Sequence, residues 1–159
     1  MNNKILVAYF SASGVTKKAG ETLSNLIKAD LFEIQPQKPY TEEDLVWTDK
    51  NSRSSVEMSN SSSRPAIADK INQLDDYETI FIGFPIWWYV APRIINTFLE
   101  SYNFSGKTVI PFATSGGSGI EKAESDLHKC YPDITNWKKG KRLNGNIAEI
   151  KSWLDTLGY

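Results

Sequence analysis

Cysteine is nearly missing from this chain: Cys130 stands alone. One cysteine closes no intrachain disulfide, and it suggests no thiolate metal cluster. Histidine is as scarce, with only His128. Close to Cys130, on the polar side of a helical segment, it reads as a surface or packing residue, because a metal site needs more ligands. Long apolar runs are lacking too. The first, Ile5–Phe10, is too short for a signal-peptide core and far too short to span a membrane. It reads as a buried strand, and the cytoplasm is the expected location. Excess charge of one sign is also absent, since 18 basic and 19 acidic side chains leave a formal net charge of −1. That balance argues against a nucleic-acid partner, which needs a basic face. The one basic cluster, Lys138, Lys139, Lys141 and Arg142, reads as a solvated stretch near the end of the fold.

What is present is enough apolar material for one domain over residues 1–159, with a core that needs neither disulfides nor metals. Three runs, Ile5–Phe10, Thr79–Pro85 and Thr108–Ala113, are continuously apolar rather than alternating. Such runs suit parallel strands covered on both faces. A weaker run at Leu31–Gln35 predicts another strand, and a fifth is expected between Ile134 and Leu143. Between them lie helical stripes: Val15, Ala19, Leu23, Leu26 and Ile27; then Ile67, Ile71 and Leu74 behind Pro65; then Ile94, Ile95, Phe98 and Leu99 behind Pro92. Ile120, Ala123 and Leu127 make a fourth stripe, and Ile147, Ile150, Trp153, Leu154 and Leu157 a fifth, closed by Gly158. Alternating strands and helices predict a doubly wound α/β domain with right-handed crossovers. Pro111 inside the last strand run removes a ladder donor and implies a bulge or an early break. The connection from Pro36 to Arg64 is long and rich in Ser and Asn; Thr41-Glu-Glu-Asp44 resembles a capping box that starts a short helix.

Three loops carry candidate chemistry. Ser11-Ala12-Ser13-Gly14-Val15-Thr16 follows the first strand and opens a helix. A turn there aims backbone N–H groups and three hydroxyls at one point beside a positive helix end, an anion site without Lys or Arg. The alternative is a Ser-rich turn capped by its own hydroxyls. Pro85-Ile86-Trp87-Trp88-Tyr89 leaves the next long strand run, and its three consecutive aromatics cannot all face one core. At least one lies near the surface or against a planar ligand; the alternative is that the tryptophans plug the core and a subunit contact. Thr114-Ser115-Gly116-Gly117-Ser118-Gly119 is glycine-rich and lets backbone approach a ligand, or is only a flexible turn. Neither a Walker GxxxxGK[ST] nor a GxGxxG fingerprint is present.

With these motifs the chain resembles the flavodoxin family, in particular a short bacterial flavodoxin-like group, over most of its length. Tyr9 to Thr16 is similar to the family's (T/S)x(T/S)GxT phosphate loop, Phe84 to Trp88 to its first flavin loop, and Ala113 to Gly119 to its second. The resemblance implies a flavodoxin-like, five-stranded parallel sheet in the order 2-1-3-4-5 within a three-layer sandwich, with FMN at the strand ends. It implies that Ser11, Ser13 and Thr16, with the amides of Ala12, Gly14 and Val15, hold the phosphate. Pro85 to Tyr89 would wall one side of the ring, and Thr114 to Gly119 would approach its other edge. Which tryptophan stacks is left open.

The implied function is electron transfer through the flavin, with a redox partner protein or a small-molecule donor or acceptor, no metal and no side chain assigned as acid or base. The alternative is an NAD(P)H-dependent quinone or FMN oxidoreductase. A near-neutral charge departs from the acidic surface of electron-carrier flavodoxins. The long connection is expected to cover part of the flavin and shape a small-molecule pocket, with Arg53 as an anion contact; a disordered surface loop is the alternative. A receiver domain would need an Asp where Phe84-Pro85 stands, and a phosphatase a cysteine within Ser11–Thr16. Oligomeric state is not legible.

Overall fold

The structure, a computed structural model, describes residues 4–143 and 146–159. Each strand run becomes a strand: β1 (Lys4–Tyr9), β2 (Asp30–Glu33), β3 (Tyr77–Pro85) and β4 (Thr108–Thr114). The expected fifth strand is present as two short pieces, β5 (Asn136–Trp137) and β6 (Lys141–Arg142), both parallel to β4. The sheet order is β2-β1-β3-β4-β5, with β6 beside β4, so the expected flavodoxin-like topology holds.

Because both faces are covered, alternate residues of each strand enter separate cores. Leu6, Ala8, Phe10, Ile80, Ile82 and Phe84 pack with α3 (Arg93–Ser101) and α4 (Glu121–Cys130). Val7, Tyr9, Phe81, Ile110 and Phe112 pack with α1 (Val15–Ile27) and α5 (Ile147–Leu157). This is a three-layer sandwich. The register Tyr9↔Gly83↔Phe112 brings the carboxyl ends of β1, β3 and β4 to one rim. Ladder bonds continue past it, from Phe10 N–H to the Gly83 carbonyl (3.0 Å) and from Ile86 N–H to the Thr114 carbonyl (2.9 Å).

The second helix is not where the 67-71-74 stripe predicts it. Gln37 N–H donates to the Ala66 carbonyl and Ala68 N–H to the Gln35 carbonyl, each 2.8 Å, which holds that stretch extended against residues 35–37. Pairing across the connection satisfies its backbone groups, and Ile67 and Ile71 still reach the core as half-buried side chains. The helix instead is α2 (Arg53–Ser59), inside the Ser/Asn-rich stretch. Ser52 caps it by accepting from Ser55 N–H, and Arg53 pairs with Glu57 one turn on. The capping box does form: Thr41 N–H donates to Asp44 and Asp44 N–H to Thr41 Oγ1, opening one 3₁₀ turn at 43–45.

Pro111 explains the divided edge. Val109 and Ala113 direct their carbonyls to the edge, accepting from Lys138 N–H and Leu143 N–H. Pro111 lies midway between them, so by alternation its missing donor also faces the edge and leaves the β3 ladder intact. Four steps along β4, Val109 to Ala113, face five along the edge, Trp137 to Arg142, so one extra residue bulges out. Gly140 fills the gap, and its N–H turns to the buried Glu124 carboxylate at 3.1 Å. Glu124 is therefore turned inward, while Glu121 one turn earlier on α4 is exposed. A Cβ on Gly140 would sit 2.1 Å from the Pro111 carbonyl oxygen. Gly140→Ala should lower stability by about 2 kcal/mol, measured as a shift in denaturant midpoint.

Candidate functional site

The first loop is built as a set of donors without acceptors. Gly14 turns the chain at φ 94°, a left-handed conformation that favours glycine, and its carbonyl accepts the first helical bond from Lys18 N–H. Ser11 Oγ accepts from Gly14 N–H and Lys17 N–H, each 3.1 Å. The amides of Ala12, Ser13, Val15 and Thr16 meet no acceptor among the described residues. The N-cap residue Gly14 has no side chain to cap α1, Ser11 reaches only the Lys17 amide of its first turn, and that turn carries no acidic residue. Orphan donors at a positive helix end are an anion site in physical terms. Ser13, Gly14 and Val15 are exposed, Ser11 and Ala12 half-buried, and Thr16 buried.

Thr16 ties the first loop to the third: its Oγ1 shares a 2.7 Å hydrogen bond with Thr114 Oγ1. Thr114 in turn receives the Ile86 N–H on its carbonyl, so all three loops meet at this one residue.

The aromatic loop resolves the roles of its rings. Trp87 and Val90 exchange backbone hydrogen bonds of 2.9 and 3.1 Å around a two-residue turn. The turn residues are Trp88 (φ 49°) and Tyr89 (φ 70°), positions where Asn-Gly is the usual choice. Non-glycine residues there cost of order 1–3 kcal/mol each, a strain found mainly at functional sites. Trp87 packs edge-on against Phe10 (5.6 Å) and Tyr40 (5.5 Å), while Trp88 and Tyr89 are 41% and 62% exposed. Trp87 is therefore half-buried against the core, and the turn holds the next two rings outward. Trp87→Ala should cost about 2 kcal/mol of folding stability, less than for a fully buried ring, whereas Trp88→Asn should stay within about 1 kcal/mol of the parent, both read from thermal or denaturant unfolding.

The third loop is ordered by a contact that sequence reasoning missed. Ser115 Oγ donates to the Ser118 carbonyl at 2.5 Å. Arg142 Nε donates to Ser115 Oγ (2.9 Å) and its Nη2 to the Ser115 carbonyl (3.0 Å). In the sequence Arg142 is one more cation beside three lysines; only the edge-strand placement separates it from a solvated cluster. Space around Gly116 and Gly117 is open for 4 Å beyond a hypothetical Cβ, so nothing of the protein fills the volume they face.

The Pro36–Arg64 connection is ordered against this rim through Tyr40. The Tyr40 hydroxyl donates to the Glu57 carboxylate, and burial with that bond pushes its pKa well above the usual phenol value. Arg53 is held by groups of the connection itself rather than turned to open space. Its Nε donates to Glu57 (3.0 Å), its Nη1 to the Lys38 carbonyl (2.8 Å), and its guanidinium lies 3.8 Å over the Tyr40 ring. It is a clamp within the connection. A cavity of about 280 Å³ lies between this segment and the first loop, lined by Ser11, Ala12, Glu33, Gln35, Pro39 and Tyr40 among others. His128 packs its ring 5.0 Å from Trp137, and no cluster of metal-ligand residues occurs among the described residues. No helix described is long and apolar enough to cross a membrane.

Solved structures share this architecture. A candidate flavoprotein from Bacteroides eggerthii DSM 20697 is 52% identical, with a TM-score of 0.95 and 99% of each chain covered. Another from Bacteroides uniformis ATCC 8492 is 56% identical, with a TM-score of 0.94 over 98% of this chain and 99% of that one. A flavoprotein from Lactobacillus acidophilus NCFM, solved in complex with FMN, is 26% identical, with a TM-score of 0.73 over 96% of this chain and 99% of that one. Among curated proteins none matches. The family model for flavodoxin matches residues 4–157, and the chain belongs to the flavodoxin family.

Proposed function

We propose that this chain binds one FMN at the common rim of its three loops and serves in electron transfer. The observation that carries the reading is the junction at Thr114, which joins a loop of unpaired amides, a turn of outward-held aromatics and an open glycine loop. The L. acidophilus flavoprotein solved with FMN supports the choice of ligand.

The amides of Ala12, Gly14 and Val15 and the hydroxyls of Ser11, Ser13 and Thr16 would hold the phosphate without a cationic side chain. Binding would release Ser11 Oγ from its two amide donors and leave those amides to the ligand. Trp88, Tyr89 and Pro85–Ile86 would hold one face of the ring, and Thr114 to Gly119 its other edge. FMN supplies the redox chemistry when bound. The chain's part is to bind, orient and exclude water; no side chain is assigned as acid or base.

A second reading, an NAD(P)H-dependent quinone or FMN oxidoreductase, is favoured by the net charge of −1 and by the ordered connection with its adjacent cavity. That balance supplies no overall negative charge to steer a carrier to basic partners. The visible spectrum of purified protein tests the cofactor: a yellow protein releasing FMN supports it, and a colourless one that takes up no added FMN contradicts it. Titration with NADH, NADPH and dithionite then divides the readings. Turnover with NAD(P)H and a quinone, without a partner reductase, selects the oxidoreductase.

A further inference from the structure

Arg142 is half-buried, grips Ser115 through two donors, and has no ion-pair carboxylate among the described residues. Of the three other arginines, Arg53 and Arg64 are neutralised, by Asp44 with Glu57 and by Glu100, while Arg93 is tied to the Met58 carbonyl rather than to any of the three loops. An uncompensated cation held against one loop by two hydrogen bonds does two things. It fixes the loop's backbone, because a planar guanidinium binding an oxygen pair on one residue leaves little freedom. It also places positive potential at whatever that loop faces, in a setting less screened than open solvent.

Resting on the FMN reading above, we propose that Arg142 is a positioning residue of the flavin site. It holds the Ser115–Gly119 loop in place and biases the bound ring toward its reduced, negatively charged form. An acidic group also borders this loop: Glu121, the first residue of α4, has its carboxylate against Gly119 and forms no ion pair with Arg142. The position of Arg142 follows from the bulge opposite Pro111: the extra residue at the edge shifts the register and sets Arg142 beside Ala113, one residue before the loop begins. Such a bias suits direct reduction of small acceptors better than a low-potential carrier does, so it bears on the choice between the two readings.

The test uses the full chain loaded with FMN. Midpoint potential is measured by dye equilibration, and oxidised-FMN affinity by quenching of flavin fluorescence. Arg142→Gln should lower the ratio of reduced to oxidised affinity by about tenfold, which is about 30 mV more negative for a two-electron couple. Arg142→Lys keeps the charge but not the fork, so it should weaken oxidised FMN while staying within about threefold of the parental ratio. Arg142→Met, which retains the apolar stem, is the second neutral variant should the glutamine form not fold, and should match its shift. An unmoved potential in a neutral variant that binds FMN overturns this proposal alone, as does an equal shift in Arg142→Lys. Failure of the parent chain to bind FMN overturns the flavin site with it.

Discussion

Riboflavin, which lacks only the phosphate, should bind the apoprotein about 100-fold more weakly than FMN. Hydrogen bonds to a charged group contribute about 1.5–3 kcal/mol each, and the first loop presents four amides without acceptors beside a helix end. Desolvation of a dianion offsets much of that gain, so a net of about 3 kcal/mol, or roughly 100-fold, is the expected remainder. The same physics predicts a selective variant. Gly14 has φ 94° and open space where a Cβ would go, so Gly14→Val introduces backbone strain without a clash. A β-branched residue resists that conformation by about 1–2 kcal/mol, and relaxing it rotates the amides off the anion. FMN affinity should fall at least about tenfold while riboflavin affinity barely moves, which collapses the ratio between the two ligands. Equal affinities for FMN and riboflavin in the parent protein would mean that the loop is a self-capped turn and no phosphate site.

The largest effect on folding should come from Gly83→Ala. Gly83 faces the same side of the sheet as Phe81, and the ring of Phe112 from β4 occupies its missing side-chain volume. A Cβ there would lie 2.1, 2.3 and 2.7 Å from three ring carbons of Phe112, which is fully buried. Neither strand can shift without breaking the ladder that sets the rim, so overpacking should cost about 3 kcal/mol. Phe112→Leu vacates that volume. In the double variant the two costs should fall short of their sum by at least about 1 kcal/mol, as expected for residues in contact. Strict additivity in denaturant unfolding would show that the ring does not determine the glycine. Gly116→Ala, with open space around it, is the matched control and should be nearly silent.

What could be read without coordinates divides along physical lines. β1, β3 and β4 were legible because burial on both faces leaves an uninterrupted apolar run, a strong one-dimensional signal. The helix stripes at α1, α3, α4 and α5 were legible for the same reason. The 67-71-74 stripe misled because three apolar residues at helical spacing fit an extended segment equally well, and the pairing with residues 35–37 is non-local. Its true counterpart, α2, carried a signal in Ser52 and the Arg53–Glu57 spacing, masked by serine-rich composition. Pro111 announced a break but not its direction; Gly140, 29 residues on, holds the other half of that message. At the rim, the loop positions follow from strand ends and were legible. The left-handed turn at Trp88 and Tyr89 was not, since those residues are among the last that backbone propensity would place there. Nor was Arg142, whose role depends on a one-residue register shift.

The measurement closest to the central claim is a backbone amide NMR titration of the apoprotein with FMN. The account predicts that amide signals of residues 11–16, 86–89 and 114–119 move or broaden together and reach their end points at one equivalent of FMN. Signals from the last turn of α5, which leads to Tyr159 beside Thr79 at the opposite end of β3, should stay in place. Saturable changes confined to another surface, or no change at a FMN concentration of about 100 µM, weaker than about −5.5 kcal/mol, would contradict it.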